Sequence, residues 1–257
     1  MSENSIQKII ELLSTKKWKI IEISELKNLL QNHFSTPLSD SKFYKIIHLL
    51  KNKDILWSIK KEFFYIKNPK KELNEYELEQ QFYRKLLKKH CKKYCNNERY
   101  IGAITALEIN FQGTIPDIPE RITICNKKKQ AKEIVIFEKE VLFKKYEVKG
   151  KNIFTTFTQN TKKIQSPWGL LPYANMELSI IESLYNLDKS NSTYIENLII
   201  KTLKKHKKQY NPKNLESIIK LGKFNSAVNR FFKLIKPIFP DLSEEVKKLI
   251  KKYWFLL

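Results

Sequence analysis

The stretch ISELKNLLQNHFSTPLSDSKFYKIIHLLKNKDILWSIKKEFFYIKN, residues 23–68, decides the reading of the fold. It divides into a short helix, a turn, a second helix, and two β-rich runs joined by a charged turn. Ser39 suits the N-cap of the second helix, and Asp40 follows at the positive end of its dipole. Phe43, Ile46, Ile47 and Leu50 recur at i, i+3, i+4 and i+7, which gives the helix one buried face. Ser41, Lys45, His48 and Asn52 fall on the opposite face. ILWSI and FFYI flank Lys60-Lys61-Glu62, the pattern of a hairpin with a cationic tip. Helix, turn, polar-faced helix and basic-tipped hairpin together predict a winged helix-turn-helix over residues 1–68. Operator binding would bring Ser41, Lys42, Tyr44, Lys45 and His48 to base edges and phosphates, with Lys60 and Lys61 at the wing. A protein-contact module is the alternative for the same pattern, because any helix needs a solvated face.

Upstream, Ile6, Ile9, Ile10 and Leu13 predict a first helix over Ser5–Leu13, with Ser5 as its cap. Trp18, Ile20 and Ile23 alternate as an extended link able to join the wing as a third strand. Asn68-Pro69 closes the domain, since a residue before proline is pushed out of the helical region. Downstream, residues 70–257 form a second domain. Lys70–Tyr94 is a charged helix with Leu78, Phe82 and Leu86, or Tyr83 and Leu87, as its stripe. Residues 100–113 look like a helix ending at Gly113. Short strands follow at 122–125, 134–137, 141–143, 153–157 and 163–165, so that 100–166 is strand-rich. Pro167, Gly169 and Pro172 interrupt the chain before an amphipathic helix at Asn175–Tyr185, within a helical region 174–257. The expected class is α+β.

The formal charge is +22, with a pI of about 9.7. Of 49 basic residues only Arg84, Arg99, Arg121 and Arg230 are arginine. That lysine bias, with many Ile and Asn and five Gly, reads as the product of an AT-rich genome, so part of the charge is not functional. The excess is spread along the chain, including 16 basic against 6 acidic residues over 186–257. It favours a polyanionic partner without locating the contact. Cys91 and Cys95 lie beside His90, but no second cluster completes a four-ligand set, and the three cysteines read as reduced thiols. No stretch approaches the length of a membrane span, and MSENSIQKII has no signal-peptide core, so a cytoplasmic protein without a membrane partner is expected. The closing Tyr253–Leu257 run is apolar and is expected to dock into the core.

The order of features over roughly residues 5–187 resembles the AbiEi-like antitoxins of AbiE-type (type IV) toxin–antitoxin systems. The resemblance rests on the wing DILWSIKKEFFYIKNP, where that family has G-x-L-x-R-x-x-R-G-x-Y. It rests also on Tyr100-Ile101-Gly102 with Thr105-Ala106-Leu107-Glu108, on the strand set ending near Ile164, and on the helix Ala174–Tyr185, where the family has S-P-E-R-(T/A)-L-L-D. Lys60, Lys61 and Glu62 stand at the wing arginine and glycine positions. Glu177 matches the family Glu, while Leu178, Glu182 and Asn110 replace its Arg, Asp and His. The resemblance implies a DNA-binding repressor of its own operon that counteracts a separately encoded nucleotidyltransferase toxin. No cofactor, metal or catalytic residue is expected.

An enzymatic alternative also has a pattern. Pro116-Asp117 followed by Glu147-Val148-Lys149 fits the loose P-D…(D/E)-x-K arrangement of metal-dependent, restriction-like nucleases, with Asp117 and Glu147 holding the ion and Lys149 assisting water. In so lysine-rich a chain Glu-x-Lys recurs by composition alone, and Pro-Asp commonly starts a turn. No Gly-rich phosphate loop is present. Neither is the Gly-Ser turn with Asp-x-Asp that a nucleotidyltransferase needs.

Overall fold

A computed structural model describes residues 3–16, 20–34, 37–60, 62–67, 73–95, 98–115, 118–127, 132–136, 138–144, 147–148, 151–152, 157–166, 169–185, 187, 192–222 and 224–253. The architecture is mixed α and β, and the chain divides into two compact units, Met1–Leu86 and Leu87–Leu257.

The N-terminal unit runs α1 (Glu3–Ser14), β1 (Ile20–Glu22), α2 (Ile23–Gln31), α3 (Asp40–Asn52), β2 (Leu56–Lys60), β3 (Phe63–Ile66) and the first part of α4 (Glu75–Tyr94). Because α1 starts at Glu3, Ser5 lies inside the helix and is not its cap. The strands form an antiparallel sheet in the order β1-β3-β2, so Ile20–Glu22 does supply the third strand. Ile23 belongs instead to α2, whose start is closed by a reciprocal Glu22/Glu25 capping box. One sheet face turns Leu56, Phe64 and Ile66 into a core shared with Ile9, Leu13, Leu26, Leu30 and the buried face of α3. The opposite face presents Phe63 edge-on to Phe82 of α4, ring centroids 5.1 Å apart. Tyr65 Oη accepts from Leu73 N at 3.3 Å, and Lys85 pairs with Glu25. These contacts carry the compact unit past Asn68-Pro69 to Leu86. The helix itself begins at Glu75 and not at Lys70, because Asn74 and Glu77 cap its start reciprocally.

The C-terminal unit contains the rest of α4, then β4 (Arg99–Ile101), α5 (Ala103–Gln112), β5 (Arg121–Asn126), β6 (Lys132–Ile136), β7 (Lys139–Lys144), the pair β8 (Glu147–Val148) and β9 (Lys151–Asn152), β10 (Thr161–Ser166) and β11 (Gly169–Ala174). Helices α6 (Met176–Tyr185), α7 (Ser192–His206), α8 (Pro212–Leu221), α9 (Asn225–Ile235) and α10 (Pro240–Lys252) follow. The main sheet has the order β10-β11-β4-β5-β7-β6.

Three readings need correction here. Residues 99–101 are a strand, and the helix begins only at Ala103: Tyr100 and Ile101 pair with Cys125 and Ile124 of β5. Gly169–Ala174 is a strand despite Pro172. Its link to β4 is confined to the register pair Tyr173↔Ile101, so the missing proline N–H interrupts no ladder on that side. Helix α6 is not amphipathic, since every residue from Met176 to Leu184 is buried. Residues 153–156 of the expected strand 153–157 lie outside the described residues, as do 254–257 of the terminal run. Tyr253 is partly buried and donates to Glu216 at 3.1 Å. Among the described residues no helix is long and apolar enough to cross a membrane.

Leu50, fully buried on α3, tests the core of the N-terminal unit. Leu50→Ala is expected to cost roughly 2–5 kcal/mol, whereas Lys45→Ala on the exposed face is expected to stay within about 0.5 kcal/mol. Urea unfolding of the two variants checks this.

Candidate nucleic-acid interface

Helix α3 is built as the sequence pattern requires. Ser39 has extended backbone (φ −66°, ψ 155°), and its side chain accepts from Lys42 N at 3.3 Å. The preceding turn is held by Leu38 N donating to Gln31 Oε1 at 2.6 Å and by the Lys27–Asp40 ion pair at 2.5 Å. Phe43, Ile46, Ile47 and Leu50 are buried. Ser41, Lys42, Tyr44, Lys45 and His48 are all exposed, Tyr44 to 57%. The Lys42 ammonium sits 4.8 Å from the Phe34 ring centroid. Asn52 Nδ2 donates to His48 Nε2 at 3.2 Å, a bond that requires the Nδ1–H tautomer of His48. The five residues therefore share one solvated surface. Of the two wing residues, Lys60 ends β2, beyond a register shift between Ser58 and Lys60. Its side chain and all of Lys61 lie outside the described residues.

The base of the hairpin adds a group that the helix pattern does not mark. Asp54 adopts a left-handed conformation (φ 58°) and accepts from both Lys67 Nζ, at 2.7 Å, and Trp57 Nε1. The Lys67 bond, reinforced by Trp57, holds the Asp54 carboxyl below its ordinary value. Lys67 also lies 4.9 Å from the Trp57 ring centroid, and Trp57 remains 51% exposed. The available signal is strand alternation: with Leu56 turned into the core, Trp57 must face away from it.

The C-terminal unit holds a different kind of cluster. Glu182, buried in α6, accepts from Tyr100 Oη at 2.6 Å and from Ala103 N at 2.8 Å, and Cys125 Sγ lies 4.0 Å away. Burial raises its carboxyl to about 7, although the two donors and the nearby Lys144 pull the other way. Burial likewise pushes the Cys125 thiol up and the Lys144 ammonium down. Ala103 has φ 49°, unusual for a residue with a side chain, and the carboxylate holds its N–H. Gly102 is required by proximity: a Cβ there would stand 2.6 Å from Glu182 Oε2 and 2.7 Å from Cys125 Sγ. Asn110 reaches Ala106 O, Ala174 O and Ser179 Oγ at 2.7, 3.0 and 3.2 Å. Glu177 accepts from Asn211 N at 2.6 Å and from Asn214 Nδ2 at 3.3 Å. Segments 100–110 and 174–185, far apart in sequence, thus meet through buried polar groups.

Cys91, Cys95 and Cys125 are buried and form no disulfide among the described residues. The Cys95 thiol draws that of Cys91 below its usual value, and the His90 ring stacks on Tyr94 at 5.9 Å. Of the nuclease pattern, Asp117 and Lys149 lie outside the described residues. Glu147 is placed only as backbone in β8.

No family model and no curated protein matches the chain. Among solved structures it is similar to the RV2827C protein from Mycobacterium tuberculosis, with a TM-score of 0.53 at 10% sequence identity, covering 98% of this chain and 82% of that one. At that identity the likeness concerns the fold alone.

The Glu182 cluster makes stability depend on pH in a defined direction. A carboxyl raised from 4.5 to about 7 binds its proton more tightly in the folded state, so its contribution is fully present below 4.5 and is lost as pH rises to about 7. In Glu182→Gln the amide oxygen can accept from Ala103 N while the amide N–H donates to Tyr100 Oη. Between about pH 5 and pH 8 this variant is expected to lose roughly 3 kcal/mol less stability than the parent. Gly102→Ala is expected to be destabilised at every pH. Chemical denaturation across that range checks both.

Proposed function

We propose that the chain is a DNA-binding transcriptional regulator whose N-terminal unit works as a winged helix-turn-helix, and that it is the antitoxin of a toxin–antitoxin operon. In this reading α2 supports, α3 enters the major groove, and the β2–β3 hairpin is the wing. One observation carries it. Ser41, Lys42, Tyr44, Lys45 and His48 stand together on the solvated side of a capped helix whose other side is locked into the core. A hydroxyl, two ammonium groups, a phenol and an imidazole supply donors and acceptors for base edges and phosphates. The positive charge of the chain favours the same partner. Trp57, on β2, adds an exposed aromatic group to the hairpin.

The antitoxin half rests on the AbiEi-like resemblance. Two of its segments, at Tyr100–Gly102 and around Glu182, pack on each other in the C-terminal unit. The chain would repress its own promoter and counteract a nucleotidyltransferase toxin encoded separately.

A gel-shift titration with the protein's own upstream DNA, against a scrambled duplex, tests the regulator. The parent is expected to prefer its own DNA, and Lys45→Ala/His48→Ala to bind it at least about tenfold more weakly, given about 1–3 kcal/mol per lost base contact. Equal binding of parent and variant would sink the proposal.

A further inference from the structure

The last turns of α7 and the segment that follows it carry six lysines within thirteen residues, 201–213. Lys201, Lys204 and Lys205 are exposed on α7, Lys207 and Lys208 on the short 3₁₀ turn Lys207–Gln209, and Lys213 in the first turn of α8. Their positions follow from packing: Ile195, Leu198, Ile199, Thr202 and Leu203 fill the buried face of α7, which leaves the lysines on the other side.

The abundance of lysine in this chain makes lysines by themselves uninformative. In this segment they also stand without acidic neighbours in sequence. From residue 197 to residue 215 there is no Asp or Glu. Several surface lysines of the chain do find carboxylates, as in Lys27–Asp40, Lys127–Glu98 and Lys139–Glu120. Lys205 is engaged with Phe111, donating to its carbonyl at 2.9 Å and lying 5.0 Å from its ring centroid. Lys201, Lys204, Lys207, Lys208 and Lys213 form no ion pair among the described residues. Favourable contact with the helix dipole accounts for cations in the last turn of α7, but not for Lys201 or Lys213.

We propose that this stripe is a phosphate-backbone contact, through which the C-terminal unit holds double-stranded DNA by charge and without regard to base sequence. It rests on the DNA-binding reading given above. Lys201 and Lys204 lie about one turn apart on α7 and Lys208 on the 3₁₀ turn that follows, all exposed, a set of point charges suited to phosphates. Protein-binding surfaces are depleted in lysine and enriched in aromatics, Met and Arg. The exposed large apolar side chains of α7 and α8 are Tyr194 and Leu221, at their far ends, and none lies between them. A membrane-surface helix would need an exposed apolar face, and that of α7 is buried.

The test uses the full chain and Lys201→Gln/Lys204→Gln/Lys208→Gln, titrated on the upstream duplex and on a scrambled duplex over several salt concentrations. The slope of log affinity against log salt is expected to become shallower by about 2–3 on both duplexes, at about 0.9 per phosphate contact, with the ratio of the two affinities unchanged. Lys201→Arg/Lys204→Arg/Lys208→Arg is expected to keep the parental slope. An unchanged slope in the glutamine variant overturns the proposal. Loss of retention on a poly-glutamate resin with an unchanged DNA slope overturns it in favour of an acidic protein partner. Loss of preference for the upstream duplex in the parent would instead count against the regulator, and the slope would still read the stripe.

Discussion

The seating of α3 in the core of the N-terminal unit is the constraint on which the candidate interface depends. Four apolar side chains at helical spacing, Phe43, Ile46, Ile47 and Leu50, go to zero or near-zero exposure against α1, α2 and one face of the small sheet. Burying side chains of this size stabilises by about 1.5–3 kcal/mol each, so the helix can turn about its own axis only by giving up much of the core. The polar residues are thereby held outward. Ser39 at the cap and Gln31 at the end of α2 set where the helix starts, and so which side chains reach the surface.

The C-terminal unit is ordered by the opposite kind of force. Its central helix, α6, is buried all round while carrying Glu177, Ser179, Glu182 and Ser183. Polar groups in such a place destabilise unless they are bonded, and each is: Glu177 to the start of α8, Ser179 and Ser183 to preceding carbonyls, Glu182 to the β4–α5 junction. The Glu182 bond is demanding, because it needs glycine at 102 and a left-handed residue at 103. Such requirements specify one packing arrangement strictly. An apolar helix at the same place could slide or rotate with less loss.

What the sequence made legible follows the same division. Apart from the Ser5 cap, local signals worked in the N-terminal unit: the Ser39 cap, the helical period of α3 and the two runs of the hairpin lie where the pattern puts them. They failed where a long-range contact decides. Tyr100 and Ile101 join a helix-like run, yet β5 claims them as a strand partner. Pro172 argues against a strand, yet the sparse pairing of β11 with β4 tolerates it. Glu177 and Glu182 give α6 an amphipathic look, although their partners lie 34 and 79 residues away in sequence. Trp57 was readable from strand alternation, but only with the hairpin and not the helix as the starting point.

Among the described residues the strand order β10-β11-β4-β5-β7-β6 leaves β10 and β6 at the rims of the main sheet. An open rim offers unpaired backbone groups to any passing strand, which is a route to aggregation. Here both rims are charged on the solvent side, Lys162 and Lys163 on β10, Lys132 and Glu133 on β6, all exposed. Exposed Val135 beside them would otherwise make β6 adhesive. Charge at these two rims disfavours edge-to-edge pairing of strands.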